Sequence, residues 1–147
     1  MTTKSKNPLE SSATHLLHRA GQRAADIFAE EAKKGGLTPR QYAVLAGVSQ
    51  EEGLPQAELV ARTGIDRSTL ADIVARLLSR GLIQRKRAKE DGRAYAIKLS
   101  AKGAKALAKA RPAASAADSR LLAGLSATKR TEFLQTLAKI VADGEDR

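Results

Sequence analysis

The sequence predicts a mainly α-helical chain with one small β-hairpin, in the order α-α-α-α-β-β-α-α. Three features predict it. Apolar residues recur at helical spacing over most of the 147 residues. The period drops to two in one short region after Gly81. Between these segments stand Ser, Thr or Asp where helices would begin and glycine where they would end. Composition agrees: hydrophobic residues make up 42%, much of it alanine, and the aromatics are only Phe28, Tyr42, Tyr95 and Phe133. So little bulky volume favours close-packed helices, and a second subunit to cover apolar helix faces.

A first helix is expected over Leu9–Lys34, where Leu16, Leu17, Ala20, Ala24, Ile27 and Phe28 follow helical spacing and Gly35-Gly36 provides a stop. Thr38-Pro39 reads as an N-cap followed by proline at the first helical position. The second helix then runs to about Gln50, burying Tyr42, Val44, Leu45 and Val48. Glu51-Glu52-Gly53 ends it, Leu54 offers one residue to a short strand, and a third helix covers Pro55 to about Thr63 with Leu59 and Val60 inward. Gly64 supplies a tight turn that needs positive φ. Asp66 stands where it caps a fourth helix, Arg67–Arg80, which buries Leu70, Ile73, Val74, Leu77 and Leu78. Its other face shows Arg67, Ser68, Thr69, Asp72, Arg76, Ser79 and Arg80. Helix, short glycine turn and capped helix with a polar exposed face is the spacing of a helix-turn-helix.

Beyond Gly81, Leu82–Ala88 and Ala94–Leu99 read as strands, the second alternating Tyr95, Ile97 and Leu99 against Ala94, Ala96 and Lys98. Lys89-Glu90-Asp91-Gly92-Arg93 joins them as an Asp-Gly turn, and a hairpin directly behind a recognition helix is a wing. Ser100 caps a long helix from Ala101, which Pro112 is expected to kink or divide because proline removes a hydrogen bond and clashes one turn back. Gly124 ends it. Ser126 caps the last helix, to about Ala142, with Phe133, Leu134, Leu137, Ile140 and Val141 apolar, and Gly144–Arg147 is expected to fray.

Charge locates a partner. Arg76–Arg111 holds 12 Lys/Arg and 2 Asp/Glu, a net of +10 that equals the net charge of the whole chain. A polyanion met at one place explains that concentration, and scarce aromatics favour duplex DNA over single strands or RNA, whose bases stack on exposed rings. The absence of cysteine excludes disulfides, thiolate metal sites and thiol redox switches. No apolar run approaches the roughly 20 residues of a membrane span. Met1–Pro8 is polar without an apolar segment behind it, so a soluble, cytosolic protein is expected. No phosphate loop, nucleophile elbow or acid–base pair suggests an enzyme, and no cofactor is implied.

The ordered set of fragments resembles the MarR family of bacterial winged helix-turn-helix regulators. It comprises Leu37-Thr38-Pro39-Arg40-Gln41-Tyr42, Leu59-Val60-Ala61-Arg62-Thr63-Gly64-Ile65-Asp66-Arg67-Ser68-Thr69 and Leu77-Leu78-Ser79-Arg80-Gly81-Leu82-Ile83-Gln84-Arg85. The wing Asp91-Gly92-Arg93, then Leu99-Ser100-Ala101-Lys102-Gly103 and Leu122-Ala123-Gly124-Leu125-Ser126, complete it, so the match spans Thr38 to Val141. The resemblance implies a homodimer and three regions: 1–36 as N-terminal arm and dimerisation helix, 37–100 as the winged DNA-binding domain, and 101–147 as C-terminal dimerisation helices. It also implies repression at a near-palindromic operator, relieved by a small ligand of the aromatic-acid or acyl-thioester class. Two departures stand out: Pro112 lies in a helix that is often continuous in the family, and Lys129-Arg130 replaces an acidic residue expected near the Ser126 cap.

Arg67, Ser68 and Thr69 open the recognition helix, where side chains reach base edges and helix-terminal amides face phosphates, although Ser68 and Thr69 could serve the cap instead. Arg76 reaches the groove or pairs with Asp72 one turn before it. Arg93, at the wing tip, suits the narrow minor groove of A·T-rich DNA and matches the family's wing arginine, with Asp91 holding it extended. Arg85, Lys86, Arg87 and Lys89 fit phosphates; strand alternation puts Arg85 and Arg87 on one face and Lys86 on the other, so not all of them touch DNA at once. Lys102, Lys105 and Lys109 read as a solvated face. His15, His18 and Arg19, at i, i+3 and i+4, are candidates for an anionic effector; a metal there would lack further ligands in sequence. The competing reading is a non-specific architectural DNA-binding protein, which explains the charge but not the uncharged Ser68-Thr69 helix start.

Overall fold

The structure, a computed structural model, describes residues 7–87 and 95–145. Asn7 caps a short 3-10 turn, Pro8–Ser11, before α1 (Ala13–Ala32). This divides the single helix expected from Leu9. Ser12 sits in an extended conformation and its hydroxyl accepts from His15 N at 3.2 Å, so the helix restarts one turn later. α2 (Pro39–Ser49) opens on a reciprocal cap, in which Gln41 N donates to Thr38 Oγ1 and Thr38 N donates to Gln41 Oε1, both at 3.1 Å. β1 (Leu54–Pro55), α3 (Gln56–Thr63) and α4 (Arg67–Ser79) follow, then β2 (Ile83–Arg87) and β3 (Tyr95–Leu99). The predicted turn residues Lys89, Asp91 and Arg93 lie outside the described residues.

The sheet is antiparallel in the order β1-β3-β2, with Leu54 opposite Ile97, Arg85 opposite Ile97 and Arg87 opposite Tyr95. The expected single strand residue, Leu54, thereby becomes the edge that ties the helix-turn-helix to the wing.

α5 (Ala101–Leu121) runs unbroken through Pro112, against the expected division. Ala110 and Ala117 are buried on either side of the proline, and Arg120 holds the far end to α1. Packing over the whole length offsets the roughly 3 kcal/mol that an interior proline costs. α6 (Ala127–Glu145) stays helical through Gly144, where fraying is expected; the last two residues lie outside the described ones. Its start is held despite Lys129-Arg130. Lys129 N donates to Ser126 Oγ at 3.2 Å, and Arg130 Nε donates back to Leu122 O and Leu125 O.

One buried cluster unites α2, α3, α4, the sheet and the first half of α5, centred on Leu45, Leu59, Leu70, Leu77 and Ile97. Burying one such side chain contributes about 1.5–3 kcal/mol. A smaller cluster, Ile27, Phe28 and Ala117, joins α1 to α5. Phe28 and Tyr42 link the two, with ring centroids 5.8 Å apart. α6 contributes no buried residue, and Leu134, Ile140 and Val141 are exposed. Among the described residues no helix is long and apolar enough to cross a membrane.

Candidate nucleic-acid interface

The recognition helix α4 is positioned by local chemistry at both ends. Gly64 ends α3 at φ 70°, a left-handed conformation that costs a side chain energy but not glycine. Thr63 Oγ1 donates to Leu59 O at 2.6 Å and accepts from Ile65 N at 3.2 Å, fixing the turn from inside. Asp66 then caps α4, accepting from Thr69 N at 3.1 Å. Hydrogen bonds from Thr69 first, through both side chain and backbone, and then from Ser68 hold the Asp66 carboxyl below the usual carboxylate range. Burial of Leu70, Ile73, Val74 and Leu77 sets the helix rotation, leaving Arg67, Ser68, Asp72 and Arg76 exposed.

The candidate residues separate on this frame. Arg67 is exposed at the first helical position. Ser68 Oγ donates to Asp66 Oδ2 at 3.1 Å, so its hydroxyl keeps only its acceptor lone pairs for a ligand, and Thr69 is half-buried. Arg76 forms no ion pair with Asp72, which removes the pairing reading for both. At 100° per residue, Arg67 and Arg76 flank opposite sides of the exposed face, about 13 Å apart along the axis.

On β2, Arg85, Lys86 and Arg87 are all exposed. Arg85 and Arg87 share the face of Tyr95 and both lie over its ring, at 4.4 and 6.0 Å from the centroid. Sequence alone places Tyr95 only in the alternation with Ile97 and Leu99; the cross-strand register makes it the platform beneath two guanidiniums. Lys86 stands on the opposite face beside Ala96.

The α1 candidates do not stay together. His18 lines a cavity of about 690 Å3 between α1, the start of α2 and the end of α5, whereas His15 and Arg19 do not. Its other polar lining is Gln22, Thr38, Arg40 and Asp118, and Phe28, Leu17 and Leu121 supply apolar walls. In the sequence Arg40 is only part of the run after Thr38-Pro39; that it lines the same cavity as His18 is a tertiary fact. Among the described residues no group of three His, Asp or Glu side chains could hold a metal ion. Arg120 closes the far end of α5 on α1, donating to Glu30 Oε2 at 2.6 Å and Glu31 Oε1 at 3.1 Å, and those carboxylates raise its already high pKa.

A glycine-turned, Asp-capped helix beside a cationic antiparallel hairpin defines a winged-helix DNA-binding transcription regulator. Residues 35–94 match the MarR family. The chain is 32% identical to the transcriptional regulator HosA of Escherichia coli over 90% of this chain and 97% of the relative. It is 31% identical to the transcriptional repressor NicR of Pseudomonas putida over 99% and 96%. Among solved structures it is similar to the PcaV regulator of Streptomyces coelicolor in complex with its natural ligand, with a TM-score of 0.86, 28% identity and coverage of 94% and 97%. The repressor CouR bound to a 23-mer DNA duplex gives 0.84, 28%, 95% and 99%. Bordetella bronchiseptica BpsR, whose DNA binding is regulated by 6-hydroxynicotinic acid, gives 0.81, 26%, 87% and 97%. The chain belongs to the MarR family of transcription regulators.

Proposed function

We propose that this regulator is a homodimeric repressor of a near-palindromic operator, released by a small aromatic carboxylate. The observation that carries the reading is the joint exposure of Arg67 at the capped start of α4 and of the Arg85–Arg87 pair on the wing strand. In this reading Arg67, Ser68 and Thr69 meet base edges and flanking phosphates, while Arg76 and the β2 cations Arg85, Lys86 and Arg87 serve the backbone, the last three not all at once because Lys86 faces away from the two arginines. Lys89 adds a phosphate contact, and Arg93, oriented by Asp91, enters the minor groove. That the similar repressor CouR is bound to a DNA duplex supports duplex DNA as the partner.

The effector reading rests on the cavity beside His18. Its size suits a small molecule; Arg40 and His18 offer cationic or donating groups to a carboxylate, and Phe28 offers a ring face. The acid that regulates BpsR has this chemistry. His15 and Arg19 stand outside the cavity of one chain and would contribute only from a dimer partner. The ligand shifts the protein away from the DNA-competent form only by the difference in its affinity for the two forms.

Gel-shift titration against promoter fragments tests the first half. Specific binding should survive scrambled competitor and weaken steeply with salt. Arg67→Ala should change sequence preference, whereas Lys86→Ala should reduce the salt slope by about one. Equal competition by scrambled DNA would leave an architectural protein instead. For the second half, an aromatic acid that releases wild-type protein from DNA should fail on Arg40→Ala; release that persists would place the effector elsewhere.

A further inference from the structure

We propose that a second cleft, between the end of α1, the α1–α2 loop, the C-terminal end of α4 and the middle of α5, binds a compact, multiply charged oxyanion. It encloses about 770 Å3, the size of a small-molecule site. Lys33, Lys34, Arg80 and Lys109 line it, four cations from three separate stretches of chain. One acid, Glu31, shares the lining, and its Oε1 already accepts from Arg120. Among the described residues no carboxylate lies within ion-pair distance of those four cations. Like charges gathered around one cavity repel, and a single anion bearing two or more charges relieves them together. Lys33 holds φ 65°, uncommon for a residue with a side chain, as the backbone turns out of α1 along this wall.

Arg80 connects the cleft to the rest of the molecule. It is the C-cap of α4, and its guanidinium donates to Gly35 O at 3.2 Å and Gln41 Oε1 at 3.4 Å. Lys102 Nζ donates to the Arg80 carbonyl at 3.0 Å, tying the same point to α5. Both acceptors of the guanidinium are neutral and both bonds are long, so an oxyanion, which accepts charge-assisted hydrogen bonds, competes well for it. The cleft is distinct from the cavity beside His18, sharing none of its lining residues. It also lies about 20 Å along α4 from Arg67, away from the DNA edge. An anion there would loosen the tie between α4 and the α1–α2 loop, and its affinity and that of DNA would change each other by the same factor.

The test uses the full chain labelled with 15N. Pyrophosphate and citrate are titrated separately at constant ionic strength, with chloride as control, while the Gly35 and Gly36 amide signals are followed. Saturable shifts with at least one of the two anions are expected. A response to pyrophosphate alone identifies a phosphoryl ligand, and one to citrate alone a polycarboxylate. The double variant Lys34→Ala/Lys109→Ala removes two exposed side chains and should keep the fold while weakening binding about tenfold. Unchanged affinity in that variant overturns the proposal. So do shifts confined to the start of α4 and to β2, which would mean phosphate mimicry at the DNA edge, or no response at Gly35 and Gly36 to either anion.

Discussion

Tyr95 shows how one residue can organise others. An arginine loses rotamer freedom when it docks on a phosphate, and a ring that already holds the guanidinium lowers that loss. With Arg85 and Arg87 both over Tyr95, a Tyr95→Leu variant should bind any duplex about three- to tenfold more weakly, while Tyr95→Phe stays near wild type. Fluorescence anisotropy on specific and scrambled duplexes checks this, and equal affinity of the Leu and Phe variants would show that the ring does not matter. Asp66 makes a second case, in stability. Its folded pKa lies below the ordinary value, so its contribution is complete above that ordinary value and disappears as pH falls through the lowered one. Thermal melts between pH 6 and 2 should therefore show Asp66→Asn converging with wild type at acid pH. A constant gap between the two would contradict the ionised cap.

Among the elements, α5 begins where α4 and β3 end and β2 starts, and the junction explains the Ser100-Ala101-Lys102-Gly103 run. Ser100 Oγ donates to Gly81 O at 2.6 Å and accepts from Gly103 N at 3.0 Å, while Ser100 N donates to Leu82 O at 3.1 Å. Gly103 lies so close beneath Leu82 that a Cβ there would overlap its carbonyl oxygen. Backbone cannot yield as a side-chain tip can, so Gly103→Ala should cost about 3 kcal/mol and shift α5 against the wing. Urea denaturation measures the loss; a variant as stable as wild type would mean that the junction has slack. The caps are legible in the sequence because each is local. Thr38 before Pro39, Asp66 two residues after Gly64 and Ser100 before a helical run signal their roles within four residues of sequence. The continuity of α5 through Pro112 was not legible, because the contacts that offset the proline come from α1 and the helix-turn-helix core.

For the whole molecule, α6 is the telling part. A 19-residue helix with no buried residue has little holding it in place, since most helical stability comes from packing an apolar face. Leu134, Ile140 and Val141 on α6, and Leu16 and Leu17 on α1, are exposed apolar side chains that a second copy would cover in the proposed homodimer. Light scattering at micromolar concentration should give twice the mass of the 15.6 kDa chain. Leu134→Glu/Ile140→Glu should give monomers that no longer bind operator tightly, and a wild-type monomer with full affinity would refute the proposed assembly. The amino-acid order alone determined the helix count, the caps, the glycine turn and the stretch that carries the surplus charge, because each depends on neighbours a few residues apart. Tertiary structure alone decided that Arg85 and Arg87 share one ring, that His18 and Arg40 line one cavity, and that four cations surround a second cleft. Their members come from separate segments of the chain, and only the packing of α1 and α5 and the strand register gather them.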